Sequence, residues 1–218
     1  MEKDYTEFSY IFPPRPEVKS PRENIKFIES RGFWAQPKYN GSCCILATDG
    51  DKVRIMNRHE EEFSRMLIED DDLRNMHIGP TGTWCYLVGE YMNKSKKSDF
   101  GKTFNGCIVF FDVLVYGGYS LVGETFEERY YQLETGFGRD IAQCTDSRWV
   151  YETGRPKAYL APVFKRDLGA YWDEAVLTDM VEGFVFKSPD SKLEPGRREK
   201  NNTSWQVKVR KPTKNYQF

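Results

Sequence analysis

An α+β fold of antiparallel sheets with flanking helices is what this sequence predicts, and three observations lead there. Short runs rich in β-branched and aromatic residues dominate from residue 33 onward. Helical spacing is scattered among them without a regular strand-helix-strand alternation, which disfavours a parallel sheet. At 218 residues, with 15% aromatic and 30% charged side chains, the chain is large enough for a substantial core and is predicted to form one domain over 1–218.

The elements follow in order. "YIFPPRPEVKSPREN" carries four prolines and is expected to run extended over the surface. "IKFIESRG" reads as a short helix closed by Gly32. "FWAQPKY", "SCCILATD" and "KVRIMNR" read as strands, the last two joined by the Asp-Gly hairpin signal "TDGDK". "EEFSRMLIEDDDLRNM" has helical spacing through Phe63, Met66, Leu67 and Leu73. "TWCYLVGEYM" and "CIVFFDVLVY" are buried-strand runs, whereas "TFEERYYQLETGF" and "DEAVLTDMVE" read as helices. "GFVFKSP" and "SWQVKVRK" return to strand, with "GRREKNN" an exposed loop between them.

Composition excludes several function classes. No apolar run approaches the roughly 20 residues of a membrane span, and "MEKDYTEF" has no apolar signal core, so a soluble, cytoplasmic protein is expected. Five cysteines without a C-x-x-C pair, and only His59 and His77 beside them, argue against a disulfide framework or a zinc site. The net charge of −1 hides a segregation: residues 192 to 214 hold eight Lys or Arg against two Glu, while 60 to 72 is strongly acidic. Such runs are solvated faces or, for the basic one, a surface for phosphates.

Lys38 is the residue that chemistry singles out. It sits in a run that otherwise reads as a buried strand, between a proline and a Tyr-Asn-Gly turn, where an unpartnered ammonium is costly. Either it points outward or it is held for reaction. Five stretches need a common explanation: "KYNG" at 38 to 41, "NRHE" at 57 to 60, "VGEYM" at 88 to 92, "FFDVL" at 110 to 114, and "EGFVFK" at 182 to 187 with "WQVKVR" at 205 to 210. Each alone is weak. Their order and spacing together resemble the covalent nucleotidyltransferases, the family of ATP-dependent DNA ligases, RNA ligases and mRNA-capping enzymes. "FFDVLVYGGYSLVGETFEERYYQLE" and "EGFVFKSPDSKLEPGRR" are most similar to DNA ligases.

That resemblance implies a nucleotidyltransferase (ATP-grasp-like) domain that takes ATP and Mg²⁺, with Lys38 as the nucleophile on the α-phosphorus. A lysine attacks only as the free amine, and Lys208, together with Mg²⁺, would favour that form. By position, Gln36 would meet the adenine edge, Arg58 the ribose or an incoming 5′-phosphate, Glu90 the ribose, and Phe111 the adenine face, with Phe110 the alternative. Glu182, with Glu90, would hold Mg²⁺; Lys187, Lys208 and Arg210 would contact phosphates. Lys208 and Arg210, two apart on a strand, share one face while Val207 and Val209 face the core. Arg197 and Arg198 would contact the nucleic-acid backbone.

The sequence departs from the family pattern at Asn40, where Asp is usual, and at Arg210, where Lys is common. "KYNGS" leans toward RNA ligases. Only "KPTKNYQF" follows the last motif, where many members continue into an OB-fold, so a minimal enzyme or a partner protein supplying the clamp is expected. The implied partner is DNA, or RNA, with 5′-phosphate and 3′-hydroxyl ends. A GTP-dependent capping enzyme and a non-catalytic nucleotide-binding module are the competing readings.

Overall fold

The structure is a computed structural model and describes residues 9–94, 96–99, 101–138, 147–196 and 202–212. In chain order its strands are β1 (Arg15–Lys19), β2 (Trp34–Tyr39), β3 (Ser42–Thr48), β4 (Val53–Asn57), β5 (Cys85–Tyr91), β6 (Lys96–Lys97) and β7 (Thr103–Phe104). They continue with β8 (Ile108–Tyr116), β9 (Tyr119–Ser120), β10 (Tyr151–Glu152), β11 (Ala158–Leu160), β12 (Val181–Lys187) and β13 (Asn202–Arg210). The α-helices are α1 (Ile25–Ser30), α2 (Asp70–Asn75), α3 (Phe126–Phe137) and α4 (Leu168–Ala175). No helix among the described residues is long and apolar enough to cross a membrane.

Two sheets carry the fold. One has the order β1-β13-β12-β2; the other runs β10-β11-β8-β5-β3-β4, with β9 hairpinned onto β8. Pairing is antiparallel except for β1 with β13 and β11 with β8. Each sheet buries its own apolar cluster. The larger packs Leu46, Leu87, Phe110, Val113, Phe126 and Leu133 at the second sheet, and the smaller packs Ile28, Trp172, Phe184, Phe186 and Val209 at the first. Phe111 touches both clusters and marks the seam between the sheets.

Local chemistry explains the elements that matter. In the hairpin of β3 and β4, Asp49 Oδ1 accepts from the N–H groups of Asp51 and Lys52, and Gly50 takes φ +97°, as the Asp-Gly signal requires. Helix α3 begins with a capping box: Thr125 Oγ1 accepts from the Glu128 N–H, and the Glu128 carboxylate accepts from the Thr125 N–H at 2.8 Å. Phe126, Tyr130, Leu133 and Phe137, spaced on one helical face, are buried against β8.

Three expectations are corrected. The stretch before Asp70 is not helical: the Asn57 side chain accepts from the N–H groups of His59 and Glu61, and Glu62 bridges Met56, so those backbone groups are committed to a turn and a strand edge. The helix starts only at Asp70, where three aspartates occupy its positive end. The helix expected over 173–182 ends at Ala175, because the buried positions are Leu168, Trp172 and Ala175, and Val181 and Glu182 are already in β12 beside Tyr39. The proline-rich lead-in does more than cross the surface: Arg15–Lys19 is an edge strand, the sheet position that tolerates a proline.

Candidate active site

Side-chain alternation on three paired strands builds one wall of a pocket. Across β2, β12 and β13 the register forms three rows: Trp34, Lys187 and Gln206; then Gln36, Val185 and Lys208; then Lys38, Gly183 and Arg210. Val209, on the opposite face, is fully buried, and Val207 packs on the same cluster. Gly183 sits between Lys38 and Arg210 because nothing larger fits: its φ is +147°, and a Cβ would lie 2.1 Å from the Val209 carbonyl oxygen. Gly183→Ala is expected to destabilise the domain by about 2 kcal/mol or more, measured by denaturant unfolding. An unchanged midpoint would mean that the strands separate there at little cost.

A bulge places the carboxylate. Strict alternation would put Glu182 on the face opposite Lys187. The pairing of β12 with β2 shifts register between Val181 and Gly183, and the extra residue turns Glu182 toward Lys38. The Glu182 carboxylate and the Lys38 ammonium form a direct ion pair, and the Arg210 guanidinium approaches the same oxygen at 3.6 Å.

The facing wall comes from the second sheet. Cys43 on β3 and Glu90 on β5 are register partners, Val88 stands one step along, and Phe111 on β8 turns inward while Phe110 is buried and stacked on Phe137. Phe111 is therefore the pocket aromatic. Glu90 accepts from the Gly41 N–H at 3.0 Å, and a Cβ at Gly41 would lie 2.4 Å from the Tyr91 carbonyl oxygen, which is why the turn after Lys38 needs glycine. Burial pushes the Glu90 carboxyl up to about 7, against the pull of Lys38 and the Gly41 N–H.

Behind Phe111 lies a buried group of charges. Arg129 of α3 forks onto Asp112 of β8 with two bonds of 2.9 Å, and its remaining nitrogen donates to the Glu124 carbonyl. Burial alone would raise the Asp112 carboxyl, but Arg129 and Lys187 hold it below the ordinary range. Lys187, 3% exposed, lies 4.4 Å from the Phe126 ring centre and 5.1 Å from that of Phe111. Neither Asp112 nor Arg129 was singled out from the sequence, although both stand in the stretches "FFDVL" and "TFEERYY".

Burial lowers Lys187 to about 8, with Asp112 opposing and Arg129 reinforcing. Its folded value is below its ordinary one, so the stability it contributes is complete above about 10.5 and is lost as pH falls through 8. Lys187→Met is expected to be more stable than wild type at pH 7 by about 1–3 kcal/mol. That advantage should disappear by pH 10.5. Urea unfolding at both pH values checks it, and a constant difference would remove the buried charge as the cause.

The expected site residues meet in two adjoining pockets. Gln36, Lys38, Arg58, Glu90, Phe111, Lys187, Lys208 and Arg210 all line the first, a volume of about 170 Å³. Lys38, Arg58, Glu90 and Arg210 also border the second, about 550 Å³, where Glu182 joins them together with Asn40, His59 and Lys94. Pro14, Arg15 and Pro16 close the first pocket, and Lys208 Nζ donates to the Pro16 carbonyl at 3.0 Å. Asn40 accepts from Lys94 Nζ at 3.3 Å. Arg197 and Arg198 lie outside the described residues.

Among the described residues no group of three or more His, Cys, Asp or Glu side chains stands together to hold a metal. Glu90 and Glu182 supply two carboxylates beside Lys38. This set fits Mg²⁺, which uses one or two carboxylates and completes its shell with phosphate oxygens and water.

A fold of two mainly antiparallel sheets around a lysine, with carboxylates and cations lining the cleft, defines a nucleotidyltransferase domain. Residues 85–208, more than half of the chain, match the ATP dependent DNA ligase domain model, and the chain belongs to that family. Its fold is shared with the ligase domain of M. tuberculosis LigD, at 18% identity and a TM-score of 0.58 over 90% of this chain and 60% of that one. A mycobacterial DNA ligase D complexed with ATP and MES (19%, TM-score 0.53) is matched over 82% of this chain and 54% of its own. The bacteriophage T7 ATP-dependent DNA ligase in complex with ATP (12%, TM-score 0.56) is matched over 95% and 69%. The chain thus spans roughly half to two thirds of these ligase chains. Comparison with curated proteins finds no match.

Proposed function

We propose that this chain is the nucleotidyl-transferring domain of an ATP-dependent polynucleotide ligase, DNA being the substrate that its family description favours. The observation that carries the reading is Lys38 itself. It stands at the junction of the two pockets, ion-paired to Glu182 and flanked by Gly183 and Arg210. In the first step the Lys38 amine bonds to the α-phosphorus of ATP, the bond from that phosphorus to the bridging oxygen breaks, and pyrophosphate leaves. The ammonium proton must depart first, and Glu182 is the group in contact to receive it.

The chain's residues divide the remaining work. Phe111 and Gln36 receive the base, while Lys187, Lys208 and Arg210 bring positive charge to the phosphates. Lys208 is lowered by burial and by Arg210, Lys19, Lys38 and Arg15, so an arriving triphosphate relieves a crowd of cations. Glu90 would hold Mg²⁺, joined by Glu182 once the proton taken from Lys38 has passed to solvent, and the bound metal would neutralise phosphate charge. The second pocket, bordered by Arg58, His59, Lys94 and Arg210, suits the 5′-phosphate that next takes AMP from Lys38. A 3′-hydroxyl then displaces AMP and closes the phosphodiester.

Incubation with ATP labelled at the α-phosphate, followed by a denaturing gel and mapping of the labelled peptide, tests the first step. Label on a peptide containing Lys38, discharged by a 5′-phosphorylated nicked duplex, is expected. Label elsewhere, or none, overturns the reading. Glu182→Gln is expected to slow labelling by about 10² or more while changing thermal stability little, since the carboxylate faces a pocket. A proportionate loss of stability and activity would make Glu182 a structural residue.

A further inference from the structure

The base end of the first pocket holds an unusual donor set. Gln36 is 2% exposed, and both its Oε1 and Nε2 lack a hydrogen-bond partner. A buried amide normally has its atoms satisfied, because a buried polar atom left without a partner keeps its full desolvation cost. The side chain belongs to the pocket wall beside Val185 and Lys208, so the partner it awaits is a ligand with one donor and one acceptor side by side. Its neighbour Pro37 has no N–H to offer. Among the described residues, Gln206 is the other buried polar non-cationic side chain of this sheet in the pocket, and it too is a neutral amide.

A neutral amide reads hydrogen-bond polarity in either sense. With a 6-amino purine, Gln36 Oε1 accepts from the amino group and Nε2 donates to ring N1. With a 6-oxo purine, the amide turns over, Nε2 donates to the oxo oxygen, and Oε1 accepts from the N1–H. Both pairings satisfy both orphaned atoms. A carboxylate at the same place would accept only, and would repel the oxo oxygen. Stacking on Phe111 adds no discrimination, because every base presents a π-face.

We propose that this pocket accepts 6-oxo as well as 6-amino purine nucleoside triphosphates, with Gln36 the residue that makes it permissive. The inference rests on the purine-site reading under Proposed function. The reaction is unchanged: the Lys38 nitrogen bonds to the α-phosphorus, pyrophosphate leaves, and the base is a bystander.

The test uses the full chain with Mg²⁺ and nucleotide labelled at the α-phosphate. ATP and GTP are both expected to label Lys38, with kcat/KM values within a hundredfold of each other. Unlabelled ITP, a 6-oxo purine lacking the 2-amino group, should suppress labelling by ATP at concentrations within a hundredfold of the KM for ATP. Gln36→Glu should shift the ATP-to-GTP ratio toward ATP by at least tenfold. ATP labelling without effective ITP competition, or with GTP more than a hundredfold poorer, overturns the permissive pocket and leaves the Lys38 mechanism standing. Labelling by neither nucleotide overturns both. Because the ITP competition uses wild-type protein alone, the result stands even if Gln36→Glu fails to fold.

Discussion

Lys38→Ala is expected to reduce covalent nucleotide labelling to background, and Lys38→Arg to fail equally, since a guanidinium does not lose its proton near neutrality. The fold should survive both changes. Lys38 is paired within its sheet through the backbone, its side chain is 20% exposed, and Arg210 stays 3.6 Å from the Glu182 oxygen, so Glu182 keeps a cation nearby. The stability change should therefore stay under about 1 kcal/mol. Circular dichroism and urea unfolding supply the control. Label retained by either variant would move the nucleophile elsewhere.

Arg129→Met carries the largest expected cost in stability. The Asp112–Arg129 pair is almost wholly buried, with side chains 2% and 0% exposed, and removing the guanidinium takes away both of its hydrogen bonds to Asp112 and leaves Lys187 as the remaining cation beside that carboxylate. A loss of about 3–5 kcal/mol is expected in urea unfolding. Removing both partners, as Asp112→Leu with Arg129→Met, should recover part of that loss, because no uncompensated carboxylate remains although Lys187 loses the carboxylate beside it. Losses that simply add would show that the two charges do not stabilise one another. The pair also anchors α3 to β8, the strand that carries Phe111, so the single variant should weaken nucleotide labelling as well.

Much of this was legible in the sequence because strands write their burial as alternation. Lys208 and Arg210 share a face with Val207 and Val209 behind them, and the same period-2 rule puts Gln36 and Lys38 together on β2. Alternation also restricted the pocket ring to one of Phe110 and Phe111 without saying which, since that depends on the face of β8 that α3 covers. The orientation of Glu182 was illegible for a sharper reason: it depends on a register shift, and bulges leave no reliable mark in one sequence. Asp112 and Arg129 were passed over because their pairing exists only once a helix has docked on a strand. The two helix boundaries were misread where a turn or a strand claimed the backbone groups that the spacing had assigned to a helix.

The three rows across β2, β12 and β13 also have a consequence in time. Lys38 and its ion-pair partner Glu182 stand 144 residues apart in the sequence. At ribosomal rates of roughly 5–20 residues per second, the interval between Lys38 and Arg210 emerging is on the order of ten to thirty seconds. Until residues 181–187 have followed, β2 has no neighbour at the edge that β12 will occupy, and until β13 follows, Gln36 and Lys38 lack Lys208 and Arg210 in their rows. The row that joins Lys38, Gly183 and Arg210 therefore closes only once β13 is in place, and until β12 pairs with it the β2 edge is an unprotected strand edge.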